Sequence, residues 1–316
     1  MIRILSAFLL MMACSSCSKH DTQPQNPPKQ SAAPAAQLPR FDGAAAYRSL
    51  TAQTDFGPRN PLSKGHEACL AWLVSELQQS AESVTKQAFT VKGYNNETLP
   101  LTNVFASFNR QASKRVLLVA HWDTRPRAEQ DPVEANRSKP ILGANDGASG
   151  VAVLLELARI FKRTPPPVGV DILLVDGEDY GYSSDLDKYF LGARHFAAHM
   201  PAGYKPMFGI LLDMIGDADL RIPMEQNSMA HAPEVIGVVW NAAQELGISQ
   251  FVSVPGEQIE DDHLPLNEAG IPTIDLIDFQ YPYWHTTADT PDKCSAESLE
   301  AVGRVLVNVI YTKAGK

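Results

Sequence analysis

Four short stretches of the chain are apolar at nearly every position: Arg115–Ala120, Gly169–Val175, Phe208–Leu212 and Thr273–Ile277. Turn residues bound them, which reads as strands buried on both faces. Val84–Lys92 and Asn103–Phe108 alternate apolar with polar residues instead, the pattern of strands with one wetter face. Longer stretches of helix formers intervene at Phe41–Asp55, Ser63–Gln79, Ala148–Phe161, Pro233–Leu246 and Ala296–Tyr311, with Ser63 placed to cap the second behind Pro61. Strand and helix signals in alternation predict an α/β fold: a single globular domain whose central, mostly parallel mixed sheet carries helices on both faces.

Polar residues close run after run, with His121, Asp179 and Asp213 each falling just after a strand. Ligand sites of open α/β sheets lie at the carboxyl ends of the strands, so these side chains share the edge where a site is expected. Five segments concentrate metal-ligand types there: Ala120–Asp123, Gly143–Gly150, Asp176–Asp179, Leu212–Gly216 and Trp284–Thr286. Taken singly each has a plain reading. A lone His after a strand is usually a structural hydrogen-bonding residue, Asp146 reads as a turn or helix cap, and Glu178-Asp179 as a solvated pair. Taken together they supply what a zinc site needs, imidazole nitrogen and carboxylate oxygen arriving from different elements. Asp146, Asp179 and His285 make such a set. Glu178 points to the other side of an extended chain from Asp179, where it can serve as a general base.

In this order the segments AHWDTRP (Ala120–Pro126), PILGANDGASG (Pro140–Gly150), VDGEDYG (Val175–Gly181), LLDMIG (Leu211–Gly216), IEDDHLP (Ile259–Pro265) and YWHTTADT (Tyr283–Thr290) resemble the zinc-dependent M28 peptidase clan, and within it the animal-type glutaminyl cyclases and their bacterial members. The resemblance runs from about Phe41 to Tyr311. It implies a zinc exopeptidase-like fold and one Zn2+ per chain, held by Asp146, Asp179 and His285. It also implies Glu178 as general acid/base, Asp213 and Asp261 as carboxylates networked with it, and a cis peptide bond just after Asp146. Trp284 is expected to wall the substrate pocket and His263 to order the loop at its edge, both counted with the substrate-binding residues. The implied reaction cyclises an N-terminal glutamine to pyroglutamate with loss of ammonia. The rival is a dizinc aminopeptidase, in which residues matching His121 and Asp213 bind a second zinc and Asp146 bridges. Both residues are present, so the inventory permits either. Asp261-Asp262-His263 and a Trp directly before His285 favour the cyclase. A departure from the pattern is Tyr189, aligned where cyclases usually carry a second Trp, in a loop (Tyr182–Lys188) that looks shortened. A metal-dead binding lipoprotein is disfavoured because Asp146, Glu178, Asp179 and His285 are all retained.

The remaining features place the domain. Arg3 followed by apolar Ile4–Met12 is a short export signal, too short to span a bilayer, and Ala13-Cys14-Ser15-Ser16-Cys17 resembles a bacterial lipobox. The expectation is a leader over residues 1–17, lipidated on Cys14 or Cys17, or else an ordinary cleaved signal peptide. Residues 18–40, rich in Pro, Gln, Ala and Lys, read as a disordered tether, and 41–316 as the enzyme domain. The protein is thus expected to be exported and periplasm-facing, bound to the membrane by its lipid alone. With a formal net charge of −9 and no Lys/Arg block, nucleic acid is excluded as a partner, leaving peptides and proteins with an N-terminal Gln. Cys69 and Cys294 read as unpaired structural thiols, His195 and His199 as a solvated helix face, His66-Glu67 as polar helix surface, and Trp72 and Trp240 as core.

Overall fold

The computed structural model describes residues 12–13, 38–182 and 185–315, so the expected leader and tether lie outside the described residues except at 12–13 and 38–40. The elements are, in chain order, helices α1 (Gly43–Thr54) and α2 (Lys64–Gln78), strands β1 (Ser83–Lys92), β2 (Thr98–Phe108) and β3 (Arg115–His121), α3 (Ala148–Arg163), β4 (Gly169–Val175), α4 (Leu191–Ala198), β5 (Phe208–Asp213), β6 (Ile222–Met224), α5 (Gln226–His231), α6 (Pro233–Glu245), β7 (Phe251–Pro255), α7 (His263–Glu268), β8 (Thr273–Ile277) and α8 (Ala296–Asn308). The main sheet runs β1-β2-β4-β3-β5-β8. Its β4, β3, β5 and β8 are parallel, and β2 and β1 continue it antiparallel at one edge. β6 and β7 form a separate parallel pair.

Side-chain alternation explains why the central strands read as unbroken apolar runs. Val116, Leu118 and Ala120 of β3, with Ile172, Leu174, Ile210 and Leu212, pack into the larger core with α1, α2, α3 and α8. Leu117 and Val119, with Leu173, Val175 and Leu211, face the other way, onto Ala193 and Phe196 of α4 and Leu266 of α7. With neither face in water, nearly every position is apolar, Asp171 and Asp275 being buried exceptions, so helices on both sides follow from the sequence pattern.

Most long elements fall within a few residues of their expected limits. β2 begins earlier than expected, at Thr98, because β1 pairs with it from Ser83–Ser107 to Lys92–Thr98. α8 ends at Asn308, and a wider turn, Val309–Lys313, completes the expected stretch. The short elements α5, α7, β6 and β7 had no sequence signal, since at that length packing decides conformation more than propensity does. Two expectations are corrected. Trp72 is only partly buried, tilted against Phe56 with ring centroids 6.0 Å apart. His66 is no surface residue: it is buried, stacks on Trp122 at 4.4 Å and holds Asp176 Oδ1 at 2.8 Å. Cys69 and Cys294 are free and buried. Among the described residues no helix is long and apolar enough to cross a membrane.

A close seam lies between α3 and the sheet. A Cβ added at Gly150 would stand 2.2 Å from the Leu212 carbonyl oxygen and 3.0 Å from the Ala120 Cβ. Backbone of β5 cannot yield cheaply, so Gly150→Ala is expected to destabilise the fold by about 1–3 kcal/mol. Urea denaturation reads this as a lower midpoint; an unchanged midpoint would mean that α3 does not approach the sheet this closely.

Candidate active site

The carboxyl ends of the parallel strands deliver the chemistry. His121 closes β3, Asp213 closes β5, and Glu178 and Asp179 follow β4 through Gly177, whose φ is 73°. Asp146 stands just ahead of α3. Gly147 at the head of that helix has φ 102°, and a Cβ there would lie 2.5 Å from the Asp123 carbonyl oxygen. Only glycine fits both constraints. Among the described residues no peptide bond is cis, so the bond expected after Asp146 is trans and the positive φ of Gly147 makes the turn instead. Met214 and His285, at φ 45° and 53°, also adopt left-handed backbone, the kind of local strain that gathers at working sites.

Two donor sets share Asp146. In one, His285 Nε2 lies 3.4 Å from Asp179 Oδ2 and 3.7 Å from Asp146 Oδ2. In the other, His121 Nε2 lies 3.1 Å from Asp213 Oδ1 and 3.3 Å from Asp146 Oδ1. Zinc bonds of about 2.0–2.1 Å at tetrahedral angles put ligand atoms about 3.4 Å apart, so both spacings suit such an ion. The sets differ in what already satisfies them. His121 Nε2 and Asp213 Oδ1 are hydrogen-bonded to each other, whereas Asp179 Oδ2 is buried and makes no hydrogen bond, its nearest neighbour being His285 Nε2 at 3.4 Å. The two-carboxylate, one-imidazole set fits zinc, and its orphaned oxygen is a lone pair that a cation would engage.

A cavity of about 190 Å³ opens over these residues. Glu178, Asp213 and Asp261 reach it, and Trp284, Tyr189, Phe279 and Leu186 supply apolar walls. Trp284 stacks on His285 with centroids 3.8 Å apart. His263, expected among the substrate-binding residues, does not line the cavity. It is sealed in the first turn of α7, with Nε2 3.4 Å from Glu225 Oε2, because the turn after Asp261 rotates it away from the opening. In the loop after Glu178-Asp179, Ser183 and Ser184 lie outside the described residues. His195 and His199 stack on each other at 4.2 Å, with no carboxylate partner among the described residues.

The supporting residues were given no role from the sequence, although Asp123, Arg125 and Asp289 lie within AHWDTRP and YWHTTADT. Asp289 accepts the amides of Asn145 (2.9 Å) and Asp146 (3.1 Å) and the Tyr281 hydroxyl (2.8 Å). Asp123 accepts the amides of Glu178 (3.1 Å) and Asp179 (3.4 Å). Arg125 pairs with Asp179 and Glu129, and Glu129 Oε1 lies 3.4 Å from His285 Nδ1. Arginine after AHWDT and the carboxylate four residues on were the available hints.

The electrostatics follow from burial and crowding. Burial, then the Asp179 charge, raises Glu178 well above the usual carboxyl range against the opposing pull of His121. Burial, Asp213 and Asp262 do the same to Asp261. Burial would raise Asp179 too, but Arg125 and His285 hold it well below that range. His285 is carried up to about 9, burial working against Asp179 and Glu129. Burial and Asp146 push Asp289 up to about 7.

The fold and the donor pocket define an enzyme of the zinc exopeptidase type. Residues 103–310 match peptidase family M28, and the chain belongs to that family. Its solved relatives include a Bacteroides thetaiotaomicron glutaminyl cyclase bound to N-acetylhistamine, 39% identical, covering 88% of this chain and 100% of that one at a TM-score of 0.85. A leucine aminopeptidase precursor from the same species is also 39% identical, covering 88% and 99% at 0.86. The bovine glutaminyl-peptide cyclotransferase is 23% identical over 295 residues, 80% of this chain and 79% of its own length. Glutaminyl cyclases, bacterial ones included, are thus prominent among its relatives, which act on peptides.

A cation entering the set displaces the proton that His285 otherwise holds. Because His285 titrates near 9 without metal, zinc affinity is expected to climb about tenfold per pH unit from pH 6 to 8. Competition with a chromophoric chelator measures it; a flat profile would mean that no proton is exchanged at His285.

Proposed function

We propose that this enzyme is a one-zinc glutaminyl-peptide cyclotransferase, exported and held at a membrane surface by a lipid on Cys14 or Cys17. The one-metal reading is carried by the contrast between the donor sets: His121 Nε2 and Asp213 Oδ1 are hydrogen-bonded at 3.1 Å, while Asp179 Oδ2 is buried with no hydrogen bond. The solved relatives include several glutaminyl cyclases beside a leucine aminopeptidase precursor, and the contrast between the donor sets, with Trp284 beside His285, supports the cyclase reading over the aminopeptidase.

A zinc ion held by Asp146, Asp179 and His285 supplies Lewis acidity toward the side-chain amide of the substrate's first residue. Trp284 and Tyr189 wall a space suited to one glutamine side chain and limit water in it. The nucleophile is the α-amino group of the same residue, so proximity comes with the substrate. Glu178 takes a proton from that amine as the C–N bond closes and returns it to ammonia as the amide C–N bond breaks. Crowding by buried carboxylates suits it to hold a proton between the two steps. Asp213 and Asp261 border the same cavity beside Glu178. No water is consumed.

A paired assay on protein lacking residues 1–37 tests this, with zinc counted alongside. A Gln-initiated peptide should release ammonia and lose the corresponding mass, a Leu-initiated peptide should release no Leu, and Glu178→Gln should abolish turnover while keeping its zinc. Free Leu with two zincs per chain would establish the aminopeptidase instead. For the anchor, the full chain should partition with membranes in its native host, and Cys14→Ser with Cys17→Ser should release it. Membrane association surviving both changes would remove the lipid from the account.

A further inference from the structure

Arg125 is fully buried, and its guanidinium is committed to the metal-side carboxylate and to the partner of the metal-side imidazole. Nη1 donates to Asp179 Oδ1 and to the Asp179 carbonyl oxygen at 3.2 Å. Nε donates to the two Glu129 oxygens at 2.7 and 2.8 Å, and Nη2 donates to Glu129 as well. Glu129 Oε1 faces His285 Nδ1 at 3.4 Å, and the Gln130 amide donates to the His285 carbonyl at 3.2 Å. The Tyr189 ring lies 5.3 Å from the guanidinium carbon. Burying a guanidinium is costly unless its donors are used in a fixed geometry. Here that geometry takes one oxygen of Asp179 and leaves the other without a hydrogen bond, and it faces His285 Nδ1 while leaving Nε2 toward Asp179 Oδ2 (3.4 Å) and Asp146 Oδ2 (3.7 Å).

We propose that Arg125 and Glu129 are a positioning pair for the zinc site: Arg125 confines Asp179 to coordination through Oδ2, Glu129 confines His285 to Nε2, and together they set how tightly the chain holds zinc. This rests on Asp146, Asp179 and His285 being the ligands. Outer partners of metal ligands act in this way by fixing orientation and tautomer. Holding Asp179 to one oxygen also keeps a coordination position open for substrate, which a chelating carboxylate would fill.

The test uses the full chain in detergent, stripped of metal and titrated with zinc against a chromophoric chelator, with thermal melting of apo and zinc-loaded forms. Glu129→Gln should weaken zinc binding about 10–100-fold and shrink the zinc-induced rise in melting temperature. Arg125→Lys should raise the zinc coordination number seen by X-ray absorption, as Asp179 closes with both oxygens. A lower apo melting temperature with an unchanged zinc increment would make the pair merely structural and overturn the proposal. So would unaltered affinity in Glu129→Gln, the milder change should Arg125→Lys not fold. Tight zinc binding that survives Asp146→Asn in the otherwise unaltered chain would instead overturn the ligand assignment beneath it.

Discussion

The site depends on one buried acceptor. Asp289 is sealed from solvent and takes the amides of Asn145 and Asp146 at once, so the residue shared by both donor sets is fixed through its main chain. Asp123 performs the same service for Glu178 and Asp179 from beyond the end of β3. Carboxylates that accept backbone N–H groups can be buried at tolerable cost. The acids nearest the cavity are then poised by crowding, and most of them are not free to relax apart.

That constraint explains a division of labour at the sheet edge. Oxygens with protein donors hold loops in place, while Asp179 Oδ2, which lacks one, faces the neighbouring ligands. Likewise His121, bonded to Asp213, belongs to the protein's own network, and His285 is left to the pocket. Two sets with nearly equal spacing therefore differ in availability. Distance alone would not distinguish a one-metal enzyme from a two-metal one on this fold.

Much of this was legible in the sequence. The central strands announced themselves because burial on both faces leaves few polar residues, and the segments around Asp146, Asp179 and His285 stood out because they stack at one edge of the sheet. What escaped was whatever depends on long-range pairing. His66 looked like helix surface because Asp176, its partner, lies on another element. Arg125, Glu129 and Asp289 were given no role, because nothing local says that a loop folds inward. His263 was placed at the pocket by its neighbours in sequence, whereas the first turn of α7 carries it into the interior.

His285 and Asp289 occupy the same short turn, one facing the cavity and the other gripping the peptide before α3. The chain length between them therefore works as a ruler. Inserting or deleting one residue would leave both side chains present and each locally comfortable, yet would slide the imidazole out of register with Asp146. The spacing between the two thus matters to this site as much as the two side chains themselves.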